Sequence, residues 1–173
     1  YYVANLHKWA MAPRSSAFMV VAPERQASVH PAVISWGLDS GFTQEFDWVG
    51  TRDPTPWLCA PDGIRFLESL DYDALRQYNH ELAWHAAQYL TDQWGTPLEI
   101  DESMVGCMVS VMTPESVGTA KADAVRLRDR LLFEHNIEVQ AHARSGRVWV
   151  RVSAQAYNDR DDIRKLGQAV KAT

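Results

Sequence analysis

Three short stretches of this chain carry residues that could do chemistry. In NLHKW, Lys8 follows an apolar run and is flanked by His7 and Trp9. A lysine at a strand end most often lies in solvent, but an amine desolvated between two rings has a lowered pKa and becomes a nucleophile toward carbonyls. In RVWVRVSA, Arg151 alternates with valines. It is either a salt-bridge partner with its stem on an aromatic or a fork for a planar carboxylate, which a guanidinium matches with two parallel hydrogen bonds. In GTRDPTPW, Asp53 and Pro54 read as ordinary helix-start chemistry. Gly50 and Thr51 just before them offer a close-approach backbone and a hydroxyl, the groups an anion site uses.

The elements that must position these residues fall into three regions. Residues 1–57 contain apolar runs YYVA, AFMVVA and AVISW, expected as buried strands of a sheet covered on both faces. LDSGFTQEFDWVGTRDPTP follows as a long loop, of the length that usually serves function. Residues 58–95 read as a helical linker divided at Pro61, with Asp71 as an N-cap and Gly95 ending the last helix. Residues 96–173 carry a β-α-β-β-α order. MVGCMVSVM is a strand, TAKADAVRLRDRLLFEHN a helix, IEVQAHA and RVWVRVSA a strand pair turning at Ser145 and Gly146, and DRDDIRKLGQAVKA a closing helix. Val148, Val150 and Val152 should face one side of their strand, and Arg151 the other.

Composition narrows the function. Of 173 residues, 46% are hydrophobic and 23% charged, an ordinary globular balance, and the net charge of −5 offers no basic face for nucleic acid. No window approaches a membrane span. Cys59 and Cys107 have no CxxC partner, so neither a zinc site nor a disulfide framework is expected, which fits a reducing cytoplasm. The histidines show no metal-ligand grouping, since His80 and His85 are five residues apart and so lie on different helix faces. GxSxG, P-loop and GxGxxG signatures are absent.

In order, NLHKWAMAPRSSAFMVV, HPAVISWG, FTQEFDWVGTRDPTPWL and RVSAQAYNDRDDIRKL resemble the C-terminal half of a class V aminotransferase-type enzyme that uses pyridoxal 5'-phosphate. Within that superfamily the isopenicillin N epimerase-like branch is the most similar. The resemblance covers essentially the whole chain. It implies an α/β fold, the C-terminal part of a fold-type I transferase. Residues 1–57 would be the end of the large cofactor domain, 58–95 a long linking helix, and 96–173 a small α+β domain.

The resemblance also implies roles. Lys8 would hold the cofactor aldehyde, with His7 and Asn5 near its phosphate. Gly50 and Thr51 would reach the phosphate of a neighbouring subunit, so that a homodimer shares its sites. Arg151 would hold the carboxylate of an amino-acid substrate. Cysteine desulfurases of this class carry a nucleophilic cysteine before that arginine; AHARSGRVWVR has none, which disfavours that activity. Isomerase chemistry is expected first, with a lyase or aminotransferase of the same class as the alternative. The upstream half, with the aspartate that pairs with the cofactor's ring nitrogen in relatives, lies outside these residues, so the chain alone is expected to be a poor catalyst. A non-catalytic half-protein that binds a companion chain is the rival from another class.

Overall fold

A computed structural model describes residues 1–173 and shows a mixed α/β chain with two small sheets. It divides into two compact units, Tyr1–Tyr72 and Asp73–Thr173, a division that falls inside the segment expected as a linker.

In the first unit, strands β1 (Tyr2–Asn5) and β2 (Ala17–Val20) form an antiparallel ribbon with Tyr2 opposite Val20 and Asn5 opposite Ala17. The expectation of buried strands is corrected here: Tyr2, Val3 and Val20 are exposed, because a two-stranded ribbon has no further strand or layer in this unit to cover them. AVISW is not a strand either. Residues 32–36 form bends and a turn, and Trp36 is 90% exposed. Its apolar residues have strand propensity, but propensity alone does not supply a pairing partner.

Four helices complete this unit. One-turn α1 (Pro23–Gln26) opens on proline. The stretch expected as a long loop contains α2 (Phe42–Asp47), stiffened by Phe42 packing on Phe46 with ring centroids 4.8 Å apart. Helices α3 (Thr55–Leu58) and α4 (Ala60–Ser69) each carry a proline in the first turn, Pro56 and Pro61, where the missing N–H has no intrahelical acceptor to lose. Pro61 therefore starts a helix, and the break before the next one lies at Asp71, whose φ is 56°.

The second unit is built around α5 (Tyr72–Trp94) and a three-stranded antiparallel sheet in the order β3 (Met108–Met112), β5 (Arg147–Ser153), β4 (Gln140–Arg144). Helix α6 (Lys121–His135) follows β3, and α7 (Arg160–Lys171) closes the chain. The alternation in β5 holds as expected: Val148, Val150 and Val152 are buried, and Arg151 is exposed. Full burial of each valine is worth about 1.5–3 kcal/mol. The hairpin turns at Ser145 and Gly146, both with positive φ, the geometry a two-residue type I′ turn requires.

Helix α5 is more than a spacer. Leu82, Ala83, Ala86, Ala87, Leu90 and Trp94 enter the core beneath the sheet. Its end is sealed as the sequence suggests, with Gly95 at φ 64° and the Thr96 N–H reaching the Thr91 carbonyl at 3.0 Å. Helix α7 lies against it where Gly167 faces the Tyr89 ring, and Trp94 Nε1 donates to the Gly167 carbonyl at 3.1 Å.

Candidate active site

Lys8 stands in a tight loop rather than at the end of a buried strand. The loop leaves β1 at Leu6 and is closed by the Ala12 N–H on the Leu6 carbonyl at 3.1 Å, with a further bond from the Met11 N–H to the Lys8 carbonyl. Ser16, fully buried, holds its base: its carbonyl accepts the Leu6 N–H at 3.0 Å and His7 Nδ1 at 2.8 Å. A carbonyl can only accept, so Nδ1 carries a proton and is held by that bond. Lys8 itself is exposed and enters no ion pair. The desolvation considered for its amine is therefore absent within this chain. Asn5, also exposed, ends β1 opposite Ala17.

Helix α4 packs directly against this loop at Gly63. A Cβ there would stand 2.5 Å from the Ala10 carbonyl oxygen and 2.8 Å from the Met11 carbonyl carbon, closer than real Cβ atoms approach backbone. Sequence reasoning passed over Gly63, Ser16 and the pair His30–Glu45, whose Nδ1 and Oε2 are 2.7 Å apart. A glycine inside a helical pattern was the one available signal, since it marks a close approach.

Gly50 and Thr51 form an exposed tip, with Gly50 at φ 100°. The helix-start reading of Asp53 holds beside it: its carboxylate accepts the Thr55 N–H at 2.9 Å, and hydrogen bonds from the Thr55 hydroxyl and N–H hold its pKa below the ordinary value. Arg52 lies 4.5 Å over the Trp57 ring, and Trp57 Nε1 donates to the Ala17 carbonyl at 3.1 Å, tying the tip back to β2.

In the second unit, Arg151 sits at the middle of the sheet's open face, between Ser110 on β3 and Gln140 on β4. It is exposed and makes neither an ion pair nor a ring contact, so its fork is free. A groove of about 290 Å³ runs beside it, floored by Val139, Val152, Ile163 and Leu166. Burial pushes the Cys107 thiol pKa up, which keeps it protonated and a poor nucleophile. No three His, Cys, Asp or Glu side chains are grouped to share a metal ion, and no helix is long and apolar enough to cross a membrane.

Comparison with known proteins relates the chain to enzymes of two named activities. The probable chloroplastic L-cysteine desulfhydrase of Arabidopsis thaliana is 32% identical over 184 residues, covering 98% of this chain and 39% of that protein. The putative L-cysteine desulfhydrase 1 of Oryza sativa subsp. japonica is 31% identical over 98% of the chain and 40% of its own length. Isopenicillin N epimerase of Streptomyces clavuligerus is 30% identical over 99% of the chain and 46% of its length. The chain thus spans about two fifths to half of the curated relatives it matches. No family model matches it.

Proposed function

We propose that this chain is the C-terminal part of a pyridoxal-phosphate enzyme of the class V aminotransferase type, acting at the Cα of an amino acid. The observation that carries the reading is Lys8: an amine free of any carboxylate, held at the tip of a loop closed at both ends. The donor set fits the cofactor. A free primary amine suits its aldehyde, the Gly50–Thr51 tip its phosphate, and the unpaired Arg151 guanidinium the substrate carboxylate.

When bound, pyridoxal phosphate supplies an electron sink that stabilises negative charge left at Cα. Lys8 would hold the cofactor through its amine, and its Nζ would serve as the general base for the Cα proton. Beside the same loop, Asn5 would donate to the phosphate from its amide, and His7, whose Nδ1 is held by the Ser16 carbonyl, would donate from Nε2 when its ring is protonated. Arg151 grips the carboxylate and orients the Cα–H bond, a positioning effect in which an error of about 1 Å costs about a hundredfold in rate. Gly50 and Thr51 complete the phosphate site of a neighbouring copy in a homodimer.

Epimerisation of an isopenicillin N-like substrate and β-elimination from an amino acid such as cysteine both begin with that proton. The names of the relatives support each. Deuterium wash-in at Cα, measured for L-cysteine and for a non-eliminating amino acid in D2O with the full-length protein, tests the shared step. Lys8→Ala should slow it by about a thousandfold and abolish the near-visible absorbance of lysine-bound cofactor. Arg151→Lys should raise KM about tenfold or more with a smaller change in kcat. No wash-in by the parent protein with any amino acid overturns the proposal. Sulfide release separates the lyase from the epimerase.

A second reading, a half-protein that acts only with a companion chain, is favoured by the exposed Tyr2, Val3 and Val20 of the ribbon. Sedimentation with and without a chain supplying the upstream half distinguishes it.

A further inference from the structure

Helix α2 is held by two contacts that the roles above do not use. Glu45 is only 6% exposed, and its Oε2 lies 2.7 Å from Nδ1 of His30, a ring that is half in water. A carboxylate so far from solvent needs a partner, since an unpaired buried charge bears its full desolvation cost. Gly37 makes the second contact. A Cβ there would stand 2.1 Å from the Gln44 carbonyl oxygen and 2.9 Å from the Glu45 nitrogen, so only glycine lets this segment rest on the helix backbone. Sliding or turning α2 would unpair Glu45 or cause a collision at Gly37.

Only Trp48, in an extended conformation, and Val49 separate the end of α2 from Gly50. On the far side, Arg52 is fixed over Trp57. The tip is strung between a hydrogen-bonded anchor before it and an aromatic anchor after it.

We infer that the His30–Glu45 pair is a positioning device for the Gly50–Thr51 tip and sets how well that tip takes a phosphate group. The inference rests on the reading of the tip as a phosphate site. Neither His30 nor Glu45 touches the ligand; both act through α2. A pair that merely held the fold would change affinity for every ligand alike, whereas one that places a phosphate contact changes affinity for phosphorylated ligands selectively.

Absorbance titration of the full-length protein with pyridoxal phosphate and with pyridoxal separates these cases. His30→Ala should weaken pyridoxal phosphate binding about tenfold and leave pyridoxal binding within about twofold. His30→Asn, whose amide N–H stands near the place of Nδ1, should recover most of the loss. Should His30→Ala not fold, Glu45→Gln keeps the shape and still accepts the His30 proton. It carries the same test with a smaller selective loss of about threefold. Equal losses for both ligands, or no loss for either, overturn the inference. A parent protein that binds both ligands equally well removes the phosphate reading of the tip, and this inference falls with it.

Discussion

The two compact units differ in what lies over their strands. In the second unit, α5, α6 and α7 cover one face of a three-stranded sheet, and Leu90, Leu131, Val148 and Val150 are fully buried there. In the first unit the ribbon is two strands wide, and its apolar side chains lie open. The second unit has the parts of a self-sufficient core, whereas the first spends its tight backbone packing, at Gly63 and Gly37, on holding two loops in place. Apolar burial dominates one unit and backbone fit the other, so substitutions of different kinds should hurt each.

The largest effect is expected where burial dominates. Leu131→Ala should destabilise the second unit by about 3 kcal/mol, read by chemical denaturation, while Val3→Ser on the ribbon should change stability by less than about 0.5 kcal/mol. Similar values for the two would break the contrast. Next in size, Gly63→Ala forces a methyl against the Ala10 and Met11 backbone, which should cost about 1–3 kcal/mol by overpacking. Because the displaced atoms belong to the Lys8 loop, it should also, on the function proposed above, shift the pH at which the absorbance of added pyridoxal phosphate changes. An unaltered profile would detach Gly63 from that loop.

The smallest effect concerns pH. Burial, and next the nearby Arg160 charge, push the His85 pKa below its ordinary value near 6.5. The folded unit thus binds fewer protons than the unfolded chain, and this contribution to stability is present above the unfolded pKa and lost as pH falls through the folded one. His85→Gln should flatten the decline in the second unit's stability on acidification from neutrality; an unchanged slope would assign the decline to other groups.

Much of the second unit was legible because its signals are local. Alternation in β5 fixes which side is buried, the Ser145-Gly146 dipeptide marks the turn and Gly146 suits its positive φ, and Asp159 caps α7 by accepting the Asp162 N–H at 3.0 Å. The first unit was legible mainly as motifs in order. Residues 32–36 have the composition of a strand without a neighbour to pair with, and the short helix α2 depends on Gly37 and His30, which a local pattern does not register. Lys8, Gly50, Thr51 and Arg151 stand out as candidates by residue type, and their expected roles came through resemblance. Gly63 and the His30–Glu45 pair escaped because each works through a contact with sequence-distant chain.

Trp94 is the single buried tryptophan among seven, while Trp36 and Trp48 already lie in water. Its indole therefore emits at the blue end of the fluorescence spectrum and moves to the red when α5 and α7 part. Trp9, Trp57, Trp84 and Trp149 are half-buried and shift as well, so with the other six tryptophans replaced by phenylalanine the chain would carry its own optical label for one unit, without a dye or a tag.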